Sequence, residues 1–170
     1  NCVAAGKWRY GEGQGVSDVV GLILVTGVAA ALIGNAKLYG GSNCGAGEFG
    51  MLPYLAHNYE FYCSGNFFSE FHQISGEQLS QLAQQGDARA NDIFFEYGKH
   101  LSAVIKAVLY TMDPEIIVLG GSVSKAFPYF KESLWTHLAD FAYQPILEKI
   151  KIEPSALDHV AVLGAAALTF

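Results

Sequence analysis

The sequence that decides the fold is Asp113-Pro114-Glu115-Ile116-Ile117-Val118-Leu119-Gly120-Gly121-Ser122-Val123-Ser124. It predicts the end of one helix, a short buried strand, and a glycine turn before the next helix. Proline disfavours helical geometry at the residue before it, so the first helix ends near Asp113. The unbroken apolar run at residues 116–119 is typical of a parallel strand covered on both faces. The turn at Gly120 and Gly121 lets the backbone bend tightly, and Ser122 or Ser124 could cap the next helix.

A glycine turn between the carboxyl end of a strand and the start of a helix suits a nucleotide site. Free backbone amides point outward there and can donate hydrogen bonds to phosphate groups. The same residues also fit an ordinary connection between a strand and a helix. From this stretch alone, both interpretations stay open.

The flanking sequence alternates between helical and strand patterns. Apolar residues at helical spacing predict a long helix over residues 88–112 and another over 127–138. Buried strands are predicted at about 19–25 and 30–33, with a turn at Thr26-Gly27 between them. The pattern therefore predicts an α/β class with a mixed central sheet and flanking helices, in a single domain.

The remaining segments give weaker signals. A helix is expected at residues 2–9, and a strand, glycine turn and helix start are expected at 160–168. Residues 40–50 form a long glycine-rich loop, and residues 58–68 are aromatic and are expected to be irregular. Ser75, with Gln78 three residues later, predicts a capping box at the start of a helix.

Composition restricts the class of protein. Hydrophobic residues make up 51% of the 170 residues and charged residues only 15%, so disorder is excluded and a partner is expected to cover some apolar surface. The net charge of −6 argues against a nucleic-acid surface in this segment. The apolar stretch at 21–33 is too short to span a bilayer, so no membrane contact is expected. Three cysteines without metal spacing fit a reduced, cytoplasmic protein.

Several motifs, in the same order, carry a resemblance to a known family. They are Thr26-Gly27, Gly-Ala-Gly-Glu-Phe-Gly at 45–50, the aromatic stretch at 61–70, the segment at 114–124, and Gly-Ala-Ala-Ala-Leu at 164–168. Together they resemble the carboxyl-terminal lobe of the ROK (repressor, open reading frame, kinase) family, within the actin-like ATPase superfamily. The resemblance implies a ribonuclease H-like (actin-like ATPase) lobe over residues 1–170.

The start of the chain bears on activity under this resemblance. Asn1 matches the second asparagine of the family pattern Asn-Asp-x-Asn, which puts the catalytic aspartate two positions upstream. The 170-residue chain is therefore expected to lack the amino-terminal lobe and the catalytic aspartate. By itself it is expected to be inactive, and no catalytic residue is assigned within it.

The resemblance also implies which residues contact the sugar. Glu48 lies in the motif whose glutamate contacts the hexose, and the family histidine that comes after it falls here on Met51. Glu70 matches a second sugar contact. An exposed glutamate at a helix start is an equally good interpretation of Glu70.

The nucleotide contacts implied by the resemblance lie in two other segments. Thr26 and Gly27 would face the phosphates of ATP, and Gly120 and Gly121 would flank adenosine. Alanines at 29–31 replace glycines of the family's phosphate loop. Either these alanines crowd the phosphates, or the strand simply begins earlier than in the family.

The zinc cluster of the family is not expected in this chain. Its histidine corresponds to Met51, and Phe61 and Phe68 replace two of its three cysteines, which leaves only Cys63. A structural zinc needs about four donors, so no metal site is predicted. Phe61, Phe67 and Phe68 are instead expected to fill the space as an apolar cluster.

As a whole, the resemblance implies the carboxyl-terminal part of a hexose kinase that uses ATP and Mg²⁺ in the intact protein. Its sugar, a hexose or an amino-sugar, is left open. One alternative is a sugar-sensing transcriptional regulator with a DNA-binding domain upstream, and another is a degenerate kinase that acts as a binding or dimerisation module. The low charge and the aromatic residues between Tyr54 and Phe71 also predict a homo-oligomer with contacts from that region.

Overall fold

The structure is a computed structural model that describes residues 15–155. The helix expected at residues 2–9 and the elements expected at 160–168 lie outside the described residues. Within the described part, a five-stranded sheet packs with helices, which confirms the mixed α/β class.

Residues 15–155 contain seven strands: β1 Val19–Leu24, β2 Val28–Gly34, β3 Lys37–Tyr39, β4 Pro53–Tyr54, β5 His57–Asn58, β6 Ile116–Gly120 and β7 Lys151–Pro154. The main sheet has the order β3-β2-β1-β6-β7. β1 pairs antiparallel with β2, and β2 with β3, whereas β1, β6 and β7 run parallel. β4 and β5 form a separate hairpin.

The same part of the chain contains six α-helices: α1 Tyr59–Cys63, α2 Asn66–His72, α3 Gly76–Gln84, α4 Ala88–Met112, α5 Phe127–Leu138 and α6 Gln144–Leu147. The predicted capping box at the start of α3 is confirmed, because Ser75 and Gln78 each accept a hydrogen bond from the other's N–H. α4 and α5 have the bounds predicted from the apolar spacing. None of the helices described is long and apolar enough to cross a membrane.

Two predictions about local structure are wrong. Residues 58–68 are mostly helical rather than irregular, because the Asn58 side chain caps α1 by accepting the Phe61 N–H, and only two residues separate the end of α1 from the start of α2. Neither Ser122 nor Ser124 caps a helix with its side chain. The Ser124 hydroxyl instead donates to the Gly121 carbonyl, and a 3₁₀ turn precedes α5.

The start of β2 shows where the three alanines at 29–31 lie. β2 begins at Val28, two residues before the predicted start, so the alanines at 29–31 lie inside the strand. They pair with Gly21, Leu22 and Ile23 of β1. These alanines therefore do not form the turn that precedes the strand.

The main core lies between the sheet and the helices. Alternate residues of β1 and β6 face it, and α4 contributes a long buried stripe along the predicted spacing. The remaining residues of these strands face the other side, where Val19, Ile33, Ile116 and Val118 form a smaller buried cluster. All five residues of β6 are buried, as expected for a parallel strand covered on both faces.

α4 and α5 cross closely at Gly98. A Cβ built at Gly98 would lie 2.7 Å from the Phe130 carbonyl oxygen and 2.7 Å from the Ser133 Cβ. The Ser133 hydroxyl also donates a hydrogen bond to the Phe95 carbonyl, which joins the two helices. The absence of a side chain at Gly98 therefore sets the distance between them.

We expect Gly98→Ala to lower the free energy of unfolding by about 1–3 kcal/mol, because the added methyl group overpacks the crossing. At a solvent-exposed helix position the same change would instead raise the free energy of unfolding by roughly 1 kcal/mol, because alanine is the better helix former. Chemical denaturation measures the difference. Gly76→Ala is the matched control, since a Cβ there meets only the Phe68 ring, at 3.4 Å. A Gly98→Ala protein as stable as the wild type would contradict the close crossing.

Candidate functional site

Two predicted parts of the site meet at one end of the sheet. β1 and β6 are neighbouring parallel strands, so their carboxyl ends lie side by side. The Thr26-Gly27 turn follows β1, and Gly120 ends β6 as a buried residue. Gly121 comes next with a φ of 92°, and a Cβ built there would collide with the Leu24 carbonyl oxygen. The four residues predicted to face ATP are thus gathered at one edge of the sheet.

The Thr26-Gly27 turn presents backbone donors to its surroundings. Thr26 is exposed and Gly27 is half-buried. The Val25 N–H donates to the Gly27 carbonyl at 3.1 Å, which closes the turn. Within residues 15–155, neither the Thr26 N–H nor the Gly27 N–H donates a hydrogen bond. Adjacent free amides of this kind can bind an anion such as a phosphate group.

Two side chains that the sequence analysis did not single out contact this turn. The Glu60 carboxylate accepts a hydrogen bond from the Val28 N–H at 3.1 Å. The Asn66 side-chain amide donates to the Thr26 carbonyl at 3.0 Å. No local pattern predicts these contacts, because the partners are 32 and 40 residues apart in the chain.

Glu48 and Glu70 belong to different elements near the start of β2. Glu70 is exposed on α2, one turn after Asn66, and residues four apart share a helix face. Glu48 is exposed on the glycine-rich loop, and its neighbour Gly47 accepts a hydrogen bond from the Ala30 N–H at 2.7 Å. The helix that carries Glu70 is therefore anchored to Thr26, and the loop that carries Glu48 is anchored to Ala30. These two anchor points are four residues apart in the chain.

A groove of about 620 Å³ opens beside Glu48. The glycine-rich loop, β2, β3 and the end of α4 form its walls, and most of the lining is apolar. Glu48 is the one charged side chain among the described residues that line it, and Glu70 does not line it. The groove thus combines an apolar wall with a single carboxylate.

A second cleft, of about 550 Å³, lies beyond Gly121. Its walls come from α3 on one side and from the 3₁₀ turn Val123–Ala126 and the start of α5 on the other. The half-buried Tyr129 ring stacks on the buried Phe94 ring, with centroids 5.3 Å apart, and gives the cleft an aromatic wall. Polar side chains at the rim include Ser80, Gln81 and Lys125. A cleft with flat apolar surfaces and a few polar groups suits a nucleobase.

Aromatic rings fill the region around Cys63. The Tyr97 hydroxyl donates to the Cys63 carbonyl at 2.6 Å, and the Phe68 ring lies 5.0 Å from the Tyr97 ring. Phe67 contacts Phe68 at 5.4 Å, and Phe61 is joined to Phe67 through the ring of Phe71. The predicted cluster of Phe61, Phe67 and Phe68 is confirmed and is larger than expected.

Cys63 is poorly suited to bind a metal. It is fully buried, and burial raises the pKa of its thiol, which disfavours the thiolate that metals bind. Met51, at the position of the family histidine, is 52% exposed. Among residues 15–155, no group of three or more histidine, cysteine, aspartate or glutamate side chains could hold a metal ion.

A buried histidine joins the aromatic cluster to α4. The His100 Nδ1 atom lies 3.1 Å from the Tyr54 hydroxyl, and its Nε2 atom lies 3.8 Å from the Glu96 carboxylate. The same carboxylate is 3.7 Å from His72. Burial lowers the pKa of His100 and outweighs Glu96, which favours the charged form. Burial also raises the pKa of Tyr54 to about 12.

Comparison with known proteins identifies relatives over the whole chain. A family model described as the ROK family matches residues 1–170. The N-acetylgalactosamine kinase AgaK of Shewanella sp. (strain ANA-3) is 34% identical in an alignment of length 148 that covers 73% of this chain and 48% of that protein.

Solved structures confirm the predicted actin-like ATPase fold. A ROK family glucokinase from Streptomyces griseus, in complex with glucose and AMPPNP, matches with a TM-score of 0.84 and 25% identity, over 99% of this chain and 65% of that chain. A ROK family transcriptional regulator, a homolog of the E. coli MLC protein, matches with a TM-score of 0.87 over 98% of this chain and 49% of that chain. At 20% identity the latter shows the fold alone. The chain spans about half to two thirds of the length of these relatives.

We expect stability to fall as the pH decreases below about 6.5, the usual pKa of histidine. Because the pKa of His100 is lowered in the folded protein, the unfolded chain takes up the proton first, and protonation then favours unfolding. His100→Gln should flatten the dependence of the unfolding free energy on pH between neutral and acidic buffer. Denaturant titrations at a series of pH values measure the slope.

The control for this experiment is Ile105→Val, which weakens the same buried stripe but keeps His100. It should lower stability at every pH and retain the wild-type slope. An unchanged slope in His100→Gln would show that His100 does not contribute to the acid sensitivity.

Proposed function

Because this chain belongs to the ROK family, we propose that it is the nucleotide-binding lobe of an ATP-dependent sugar kinase. The observation that carries the proposal is the meeting of two turns at the carboxyl ends of β1 and β6, beside a cleft of about 550 Å³. Open α/β sheets bind nucleotides at such strand ends. The whole protein would transfer the γ-phosphoryl group of ATP to a sugar hydroxyl.

The nucleotide would lie across the two turns. The Thr26 and Gly27 amides, which have no partner within residues 15–155, would donate to phosphate oxygens. Gly120 and Gly121 would flank adenosine, and the base would enter the cleft lined by Phe94 and Tyr129. Mg²⁺ would arrive with ATP, held mainly by phosphate oxygens and water. This lobe would thus hold and orient the phosphate groups of ATP, of which the terminal one is transferred.

The sugar would contact Glu48 and Glu70. An ionised carboxylate accepts hydrogen bonds from hydroxyl groups, and charged acceptors form the stronger bonds. The apolar wall of the groove beside Glu48 suits the carbon face of a sugar ring. A relative is an N-acetylgalactosamine kinase, and a solved glucokinase holds glucose. These support a hexose or an N-acetylated hexosamine as the substrate.

A sugar-sensing regulator is the main alternative. The free amides of the Thr26-Gly27 turn favour the kinase, because a protein that only senses sugar has no need for a phosphate site. The alanines at 29–31 lie within β2 rather than in the turn. A kinase would consume bound ATP when sugar is present, whereas a sugar-sensing regulator would not, so ATP consumption distinguishes the two functions.

Self-association and a cytoplasmic location stay predictions. Much of the aromatic region at 54–71 is packed inside the chain, since Tyr62, Phe67 and Phe68 are buried. The large apolar residues there that remain exposed are Leu55, at 68%, and Phe71, at 47%. We propose these two as the contacts of an oligomer, together with the nearby exposed Met51 and Leu52.

We expect the full encoded protein to form ADP from ATP when a hexose or N-acetylhexosamine is added. A coupled ADP assay with glucose, N-acetylglucosamine and N-acetylgalactosamine measures the activity. Glu48→Ala and Glu70→Ala should raise the KM for the sugar by about 10- to 100-fold, because each loses a charged hydrogen bond. The KM for ATP should stay unchanged. Glu132→Ala, on the exposed face of α5, is the matched control. Sugar binding without any ADP would favour the regulator.

We also expect the purified protein to contain far less than one zinc per chain. The replacements at Met51, Phe61 and Phe68 remove ligands, and burial raises the pKa of the Cys63 thiol and keeps it protonated. Elemental analysis measures the metal content. A chelator should leave the thermal unfolding midpoint unchanged, because no metal contributes to folding. One zinc per chain that the chelator removes with loss of stability would show this proposal to be wrong.

A further inference from the structure

The junction of α1 and α2 holds the Thr26-Gly27 turn at three points. The Gly65 N–H donates to the Val25 carbonyl at 2.6 Å, and the Asn66 amide donates to the Thr26 carbonyl at 3.0 Å. The Glu60 carboxylate accepts the Val28 N–H at 3.1 Å. We call these three residues, Glu60, Gly65 and Asn66, the turn clamp.

The Glu60 carboxylate occupies the outer edge of β2. The Ala30 N–H points away from β1, to the Gly47 carbonyl. Residues two apart on a strand point their amides the same way, so the Val28 N–H also faces outward, where Glu60 satisfies it. The carboxylate also lies against the turn, because a Cβ built at Gly27 would be 2.7 Å from Glu60 Oε2. A negative charge is thus placed beside two free amides.

We propose that Glu60 and Asn66 are positioning residues that shape the phosphate turn and that Glu60 also limits its affinity for ATP. This inference rests on the proposed kinase function. The clamp uses the Val28 amide and the Thr26 carbonyl, so that the Thr26 and Gly27 amides alone remain to meet an incoming phosphate. The Glu60 carboxylate repels the same phosphate. Glu60 therefore orders the turn through its hydrogen bond to the Val28 N–H, and it weakens ATP binding through its negative charge.

The two effects of Glu60 can be separated by substitution. Glu60→Gln keeps an oxygen that accepts the Val28 N–H and removes the charge. Glu60→Ala removes both. Asn66→Ala removes the bond to Thr26 without a change of charge. The non-hydrolysable analogue AMPPNP serves as the probe, in the full encoded protein, with its Kd measured by titration calorimetry.

We expect Asn66→Ala to raise the Kd for AMPPNP by about tenfold, because the turn loses a fixed hydrogen bond. Glu60→Ala should raise it by only about two- to fivefold, because loss of the repulsive charge offsets part of the same effect. Glu60→Gln should lower the Kd by about two- to fivefold, and the gain should shrink at high salt, where charges are screened. The KM for ATP should follow the same order in the kinase assay, with the KM for the sugar unchanged in the Glu60 variants. Glu132→Ala and Glu132→Gln, on the exposed face of α5, should leave both values unchanged.

The outcomes separate this inference from the proposed function. A wild-type protein that binds no AMPPNP overturns both. Wild-type binding with an unchanged Kd in Glu60→Ala and Asn66→Ala overturns the clamp alone. If Glu60→Gln weakens binding as much as Glu60→Ala does, the repulsive role of the charge is wrong. If Glu60→Ala does not fold, Asn66→Ala and Glu60→Gln decide the question.

Discussion

The parallel pairing of β1 with β6 is the constraint on which the rest of the structure depends. It places two strand ends side by side, so that the turn after each strand meets the other. The contact is tight, since the Leu24 carbonyl occupies the space where a side chain at position 121 would lie. α4 lies between β1 and β6 in the chain, and its stripe of buried side chains packs against both strands. Phe94 of the same helix also lines the cleft beside the two turns.

Much of this arrangement can be predicted from local sequence. The bounds of α4 and α5 follow from apolar spacing. The capping box follows from the presence of Gln78 three residues after Ser75. The prediction for residues 58–68 is wrong, because the helices there are short and depend on the Asn58 cap and on burial under α4 rather than on a repeating pattern. The contacts of Glu60 and Asn66 escape prediction altogether. They join residues that only the tertiary fold brings together.

The aromatic cluster stabilises the segment around Cys63, where we predict that no metal is bound. A metal site joins neighbouring segments through a few strong and directional bonds. In this chain the same segment is held by ring packing around Tyr97 and by the hydrogen bond from Tyr97 to the Cys63 carbonyl. Ring packing has no requirement for a deprotonated thiol, but it encloses His100 and Tyr54 in a place that disfavours their charged forms. Because the pKa of His100 is lowered there, we expect acid to destabilise this packing.

α2 carries both Asn66 and Glu70, and its seven residues form about two turns between solvent and core. The same helix therefore carries Glu70 and, one turn earlier, the Asn66 amide that donates to the Thr26 carbonyl. Energetic linkage between two ligands is reciprocal: whatever the sugar does to the nucleotide's affinity, the nucleotide does to the sugar's. Under the proposed function, this single short helix would be a mechanical connection between the sugar site and the phosphate turn.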